Sequence, residues 1–299
     1  GLYLVVVGII PVTNALGGDK QAWFIFALAV TLITWLFLLF TLFGVKERRD
    51  LYEKEERTSL KELFAVIIRN DQLLYTAIAM ALFMIGYCTT TSFGVYYFKY
   101  AYKDENMYAV FAAILGVSQL LALSVFNLFS KRYTRRQLYT FATALVVLGY
   151  IIFFVAPERM AFIGPAGVLI FVGEAFIQLL MLMFLADTVE YGQWKLGRRN
   201  ESITFSVQPF INKIGAALAT GVVMATTVLS GINAAVTPED VTAGGLLLMK
   251  FAMLILPLLC IVAGYLIYLF KYKIDREMFA RIISDLAARG DLELKGEER

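Results

Sequence analysis

Three ionisable side chains, Glu174, Lys213 and Lys250, sit inside long apolar runs of the sequence. A charge at such a place costs about 2.5–3.5 kcal/mol on insertion scales, so it survives only by pairing in a bundle interior or by function. Glu174 stands in Gly173-Glu174-Ala175-Phe176-Ile177-Gln178. Gln178 is one turn further along the same side, which predicts a polar spot at mid-depth. Lys213 follows Asn212, one turn after Pro209, in a stretch rich in Gly215, Ala216, Ala217, Ala219, Thr220 and Gly221. Small residues let helices pack closely, and the face of Lys213 is expected to point inward. Two readings stay open for it: a structural partner of Glu174 or Asp187, or a functional cation. Lys250 lies near the end of its run and is expected to snorkel.

Hydroxyl groups form a second candidate site. Tyr87, Thr90 and Thr91, within Gly86-Tyr87-Cys88-Thr89-Thr90-Thr91-Ser92, would suit a neutral polyhydroxyl ligand, and Gln119 and Asn127 in the next run are compatible with the same cavity. Threonines in a helix can equally bond their own carbonyls. The densest polar cluster runs from Asp187 to Ser202 and includes Asp187, Glu190, Lys195, Arg198, Arg199 and Glu201, three acids and three bases. Read as a loop at the mouth of a bundle, it can form ion pairs that exist in one conformation and break in another. That gate needs partial burial, because exposed pairs are worth about 0–1 kcal/mol.

Several chemistries are excluded. The chain has no histidine, so Ser-His-Asp triads, Cys-His pairs and histidine metal sites cannot be built. Cys88 and Cys260 lie in separate apolar runs with no CxxC, which predicts neither a disulfide framework nor a metal site. The GxSxG, GxxxxGK[ST], HExxH and GxGxxG patterns are missing. No catalytic residue, metal or organic cofactor is expected, and the chain reads as a non-enzyme. Asn200-Glu201-Ser202 fits a glycosylation sequon but falls in a segment placed in the cytoplasm below.

The elements that must carry these groups are membrane helices. Of 299 residues, 60% are hydrophobic and 17% charged, against roughly 45–50% and 25% in soluble domains. Apolar runs long enough to cross a bilayer fall at about 23–45, 73–98, 108–129, 138–155, 162–186, 207–229 and 246–270. An eighth run, 1–16, is too short to span and reads as the remainder of a helix. Lys and Arg are retained on the cytoplasmic side, and 21 of them lie in segments 46–69, 131–136, 195–199 and 271–299, against four in the alternate segments. The segment 46–72, the 187–206 loop and the C-terminal tail are therefore expected in the cytoplasm of a multi-pass membrane protein. Tyr96, Tyr97 and Tyr100 would form an outer aromatic belt, and Tyr265, Tyr268 and Tyr272 an inner one. The net charge of +3 reflects that basic inner face and calls for no nucleic acid. Residues 46–72 alternate in charge and then read as a capped amphipathic surface helix from Thr58. They separate two helices (1–45) from a six-helix bundle (73–270), followed by an amphipathic tail (271–299) with Met278, Ile282, Ile283 and Leu286 along one side.

The run Ala186-Asp187-Thr188-Val189-Glu190-Tyr191-Gly192, with Lys195, Arg199, Glu201-Ser202-Ile203, Ser206-Val207-Gln208 and Lys213-Ile214-Gly215, resembles the loop and eleventh helix of the glycoside–pentoside–hexuronide:cation symporter family. Gly17-Gly18-Asp19, Gly44-Val45-Lys46-Glu47, Ile274-Asp275-Arg276-Glu277 and Arg281-Ile282 extend the resemblance over the whole chain. It implies helix five onward of a twelve-helix fold of the major facilitator superfamily type, about eight of the twelve helices. It also implies symport of a glycoside or oligosaccharide with Na⁺, H⁺ or Li⁺ by alternating access. Lys213 matches the family's intramembrane lysine near the cation and sugar sites. Arg198 falls where a lactose-transporting branch has histidine, so a histidine-dependent proton step is not expected. The family's binding acids lie mostly on helices one, two and four, outside this chain, and the chain by itself is not expected to transport. A different class, a sugar sensor or non-transporting relic, remains the second reading.

Overall fold

The computed structural model describes residues 2–44 and 60–290. They form α1 (Leu2–Ala15), α2 (Lys20–Gly44), α3 (Leu60–Arg69), α4 (Asp71–Tyr96), α5 (Met107–Arg132), α6 (Arg135–Val155), α7 (Met160–Leu196), α8 (Glu201–Leu229), α9 (Ala243–Lys250), α10 (Leu256–Lys271) and α11 (Arg276–Ala288). A π-helical turn, Tyr97–Ala101, extends α4, and a second, Phe251–Ile255, joins α9 to α10. Seven helical segments among the described residues are long and apolar enough to cross a membrane: α2, α4, α5, α6, α7, α8 and α9 through α10. The alternating charges of 46–57 and the cap at Thr58 and Ser59 lie outside the described residues.

Local sequence explains where these helices start and stop. Asn70 precedes α4 and its Oδ1 accepts from the Leu73 amide at 3.0 Å, while Thr134 and Gln137 form a capping box on α6. Asp275 caps α11 through the Met278 amide at 2.8 Å. Gly197, at φ +69°, closes α7 in the left-handed region that glycine enters without steric penalty.

Within the bundle α6 lies along α7, α4 packs between α8 and α10, α5 packs on α7, and α1 touches both α5 and α2. The α6–α7 contact is backbone-close. A Cβ on Gly173 would stand 2.7 Å from the Ala142 carbonyl oxygen, and one on Gly149 2.8 Å from that of Ala166. Phe98, Phe111, Phe153 and Phe171 fill the core at one end, with neighbouring ring centroids 5.2–5.6 Å apart. Lys131, Arg132, Arg135, Arg136, Lys195, Arg198 and Arg199 mark the other, basic end.

Two expectations change here. Three of the six belt tyrosines do not face lipid. Tyr97, Tyr100 and Tyr268 are buried, and Tyr268 stacks on Phe184 at 4.4 Å, because in a bundle these rings gain more from packing with one another than from the interface. The second change concerns the charged loop. Asp187, Glu190 and Lys195 lie on α7, which continues helically to Leu196. Asp187 and Lys195 are paired by neighbouring helices and Glu190 by Arg199 just past the helix end, so nothing ends the helix before Gly197.

The tail helix α11 lies against the end of α7. Ile282 and Leu286 are buried in a cluster with Tyr191 and Ile274, and Trp194 packs on it. The Trp194 indole donates to Asp285 at 2.9 Å, and Arg289 donates to the Trp194 carbonyl at 3.1 Å.

Candidate functional site

Four uncharged amides meet in a cavity of about 180 Å³ between α4, α5, α7 and α8: Gln119, Gln178, Gln208 and Asn212. Its remaining wall is apolar, with Phe83 and Met84 of α4 among the lining residues. Each amide offers two donors and an acceptor, so the cavity presents hydrogen bonds of both kinds without a formal charge. Gln208 and Asn212 are one turn apart on α8, which aligns them on one face. Gln119 comes from α5 and also donates to the Tyr87 hydroxyl at 3.4 Å.

The other candidates from the sequence part company with this cavity. Glu174 does not line it: four residues advance a helix by about 400°, and the extra ~40° puts Gln178 in the cavity while Glu174 turns toward α6. There it is fully buried, with Oε1 3.2 Å from the Tyr150 hydroxyl and Oε2 without a partner. Thr90 lies against the same tyrosine, 2.6 Å from its hydroxyl, and donates to the Met253 carbonyl at 3.0 Å. Thr91 bonds the carbonyls of its own helix, Tyr87 at 2.9 Å and Cys88 at 3.2 Å. Tyr87 stacks on Phe83 at 6.2 Å. Lys213, next to Asn212, is exposed in this chain rather than turned inward. Glu174 and Asp187, its expected partners, are engaged elsewhere, since successive helical residues point ~100° apart and Asn212 takes the inward position.

The charged residues at the basic end do come together. Asp187, nearly buried, accepts an ion pair from Arg135 on α6 and a hydrogen bond from the Tyr272 hydroxyl at 3.2 Å. Lys195 pairs with Asp71 at the start of α4, which also accepts from the Tyr191 hydroxyl at 2.8 Å. Arg199 reaches Glu190 at 3.4 Å and Glu201 at 2.9 Å, while Arg198 is exposed. Sequence reasoning had missed the anchors on the facing elements. Asn70 donates to the Thr188 carbonyl at 2.9 Å, and Gln72 accepts from the Lys273 amide at 2.7 Å. The polar run Asn70-Asp71-Gln72 ahead of an apolar helix was the available signal. At the opposite end Lys250 does more than snorkel: it forms an ion pair with Glu158, and that ammonium holds the Glu158 carboxyl below the usual range.

Comparison with known proteins fits this arrangement of helices around an uncharged polar cavity. The family described as MFS/sugar transport protein matches residues 1–276. The chain is 33% identical to a lactose permease of Lactobacillus delbrueckii subsp. bulgaricus, over 90% of this chain and 43% of that protein. It is 31% identical to a raffinose carrier protein of Pediococcus pentosaceus, over 90% and 42%, and 26% identical to an isoprimeverose transporter of Lactiplantibacillus pentosus, over 79% and 47%. The chain thus spans less than half the length of these relatives.

Proposed function

Because the chain belongs to the MFS/sugar transport family, of the glycoside–pentoside–hexuronide:cation symporter type, we propose that it serves in a secondary transporter that moves an oligosaccharide together with Na⁺ or H⁺ by alternating access. The observation that carries this reading is the convergence of Gln119, Gln178, Gln208 and Asn212 on one apolar-walled cavity. Sugar hydroxyls both donate and accept, as amides do, and Phe83 and Met84 offer surface to the ring C–H groups. Its volume of about 180 Å³ is below the roughly 300–1,000 Å³ of a typical small-molecule site, so these residues act as one wall of a larger site. The names of the similar permeases and carriers support lactose and raffinose as first substrates to try.

In this reading residues 73–270 are one six-helix bundle, 1–45 belong to a second, and 46–72 link them. The excess of Lys and Arg at the basic end supports a cytoplasmic position for that end and for the C-terminal tail. The ion pairs of Asp187, Lys195 and Arg199 then hold the cytoplasmic side in one conformation and part in the other. Lys213, exposed beside Ala216, Ala217 and Thr220, is the coupling cation, placed where a facing helix can approach closely. No enzymatic step and no organic cofactor enter.

The test is uptake of radiolabelled lactose and raffinose by cells making the whole transporter. Gln208→Ala and Asn212→Ala each remove a neutral hydrogen bond worth about 0.5–1.5 kcal/mol and are expected to weaken sugar affinity about 2- to 12-fold. Lys213→Ala is expected to abolish accumulation against a gradient. Unchanged affinity in both amide variants would remove the cavity from the mechanism, and wild-type accumulation would remove Lys213. Sugar binding without flux in the unmodified protein would favour the sensor reading.

A further inference from the structure

The buried contacts around Tyr150 pose a hydrogen-counting problem. Three oxygen–oxygen contacts form a line: Glu174 Oε1 to Tyr150 Oη at 3.2 Å, Tyr150 Oη to Thr90 Oγ1 at 2.6 Å, and Thr90 Oγ1 to the Met253 carbonyl at 3.0 Å. Each hydroxyl brings one hydrogen, and the carbonyl brings none. With Glu174 ionised, two hydrogens must serve three contacts. If Tyr150 donates to the carboxylate and Thr90 to Met253, the 2.6 Å contact is two oxygens with no hydrogen between them. If Thr90 donates to Tyr150 instead, the buried Met253 carbonyl loses its side-chain donor.

A third hydrogen resolves the count, and among the described residues the Glu174 carboxyl, at the open end of the line, is placed to supply it. We propose that Glu174 is a proton-binding site, held as the neutral acid and heading a directed chain in which Glu174 donates to Tyr150, Tyr150 to Thr90, and Thr90 to the Met253 carbonyl. That chain ties α7, α6, α4 and the π-helical turn of the α9–α10 span across the middle of the bundle. Two observations independent of the count agree with it. Glu174 is fully buried, and its Oε2 has no partner; an acid's carbonyl oxygen tolerates that far better than a carboxylate oxygen does. No cation pairs with it among the described residues.

The groups facing it from the packed helices are uncharged as well. α6 presents Tyr150, Cys88 of α4 lies within electrostatic range of Glu174, and Cys260 of α10 lies within that range of the tyrosine; thiols and phenols are neutral at pH 7. The amides of α5 and α8, Gln119, Gln208 and Asn212, line the separate cavity and are uncharged too. Removing the proton would leave an unpaired anion in the interior and take the hydrogen from one link of the chain. The four segments it joins would then have to reorganise or readmit a proton. This site is separate from the sugar cavity, and it stands whether or not the cargo assignment holds.

Infrared spectroscopy of the purified protein in lipid vesicles without sugar tests it, since the carbonyl stretch of a neutral carboxylic acid is resolved from that of a carboxylate. At pH 7 the wild type should show a neutral-acid band that Glu174→Gln loses. The amide can still donate to Tyr150, so this variant should melt within about 2 °C of wild type. Tyr150→Phe should keep the band and shift it, because the acid loses its acceptor. A wild type without the band, a band that survives Glu174→Gln, or a band unmoved in Tyr150→Phe would overturn the proposal. If Glu174→Gln does not fold, the wild-type and Tyr150→Phe spectra decide it. None of these readouts depends on sugar transport.

Discussion

Replacing Arg135 by alanine strands the carboxylate of Asp187, and the size of the effect follows from the two exposures. The Asp187 side chain is 6% exposed and that of Arg135 41%. Breaking a fully buried pair costs about 3–5 kcal/mol because one charge stays behind unpaired. An exposed pair is worth about 0–1 kcal/mol. Here water reaches the guanidinium but scarcely the carboxylate, and the Tyr272 hydroxyl at 3.2 Å remains as a donor, so the cost falls at about 1–3 kcal/mol. At about 2–4 °C per kcal/mol for a chain of this order of size, Arg135→Ala should melt roughly 2–12 °C lower in detergent. Asp187→Asn removes the charge that needs a partner, and in that background Arg135→Ala should cost little. The double-mutant cycle should therefore show coupling of at least about 1 kcal/mol, beyond the ~0.5 kcal/mol within which independent sites add. Additive losses in the four proteins would mean that the pair is a surface contact and that the basic end is not locked by it.

Three further outcomes are expected. Leu286→Asp puts a charge at a position 0% exposed and should release α11 from Tyr191 and Trp194; faster amide exchange over 276–288, with α6 and α7 unchanged, would register it, and unchanged exchange would count against the docking. Gly173→Val cannot be placed without moving the Ala142 carbonyl, 2.7 Å from the new Cβ, so yield of folded protein should collapse while Gly221→Val, where a Cβ meets open space, is tolerated; equal yields would contradict the close α6–α7 contact. Glu158 has a folded-state pKa below its ordinary value because of Lys250, so its contribution is complete above about pH 4.5 and disappears as the pH falls through the lowered value. Melting temperature should thus drop less between pH 6 and pH 3 in Glu158→Gln than in wild type, and identical acid limbs would show the pair to be inert.

The spans were legible because apolar runs of this length have one stable setting, and the helices α4, α5 and α6 begin and end within a few residues of the hydropathy limits. The boundary at Asp187 was not. Charge in a row looks like a loop when its partners are out of view, and Arg135, which balances Asp187, had been counted only as one more basic loop residue. Glu174 was visible as an anomaly, but its partner was not, because Tyr150 lies in an apolar helix with nothing in its neighbours to distinguish it. Helix rotation decided the rest. Asn212 and Lys213 are adjacent in sequence and about 100° apart on the helix, and a periodic reading with no rotational reference could not tell which of the two lines the cavity. The amide cluster draws one residue from α5, one from α7 and two from α8, and only the assembled bundle brings them within one cavity.

The π-helical turn at Phe251–Ile255 gives this span an unusual tolerance to length. A turn closed from residue i to i+5 holds one residue more than an α-turn, and the flanking helices stay aligned because the wide turn absorbs the surplus. Removing one codon there would tighten the turn to α without rotating Lys250 away from Glu158. The same deletion in the middle of α5 would swing half the helix by about 100° and exchange its buried and lipid-facing sides. For the history of the gene, this makes the segment around Met253 a place where loss of one residue leaves both ends of a membrane helix as they were while moving the carbonyl that Thr90 holds.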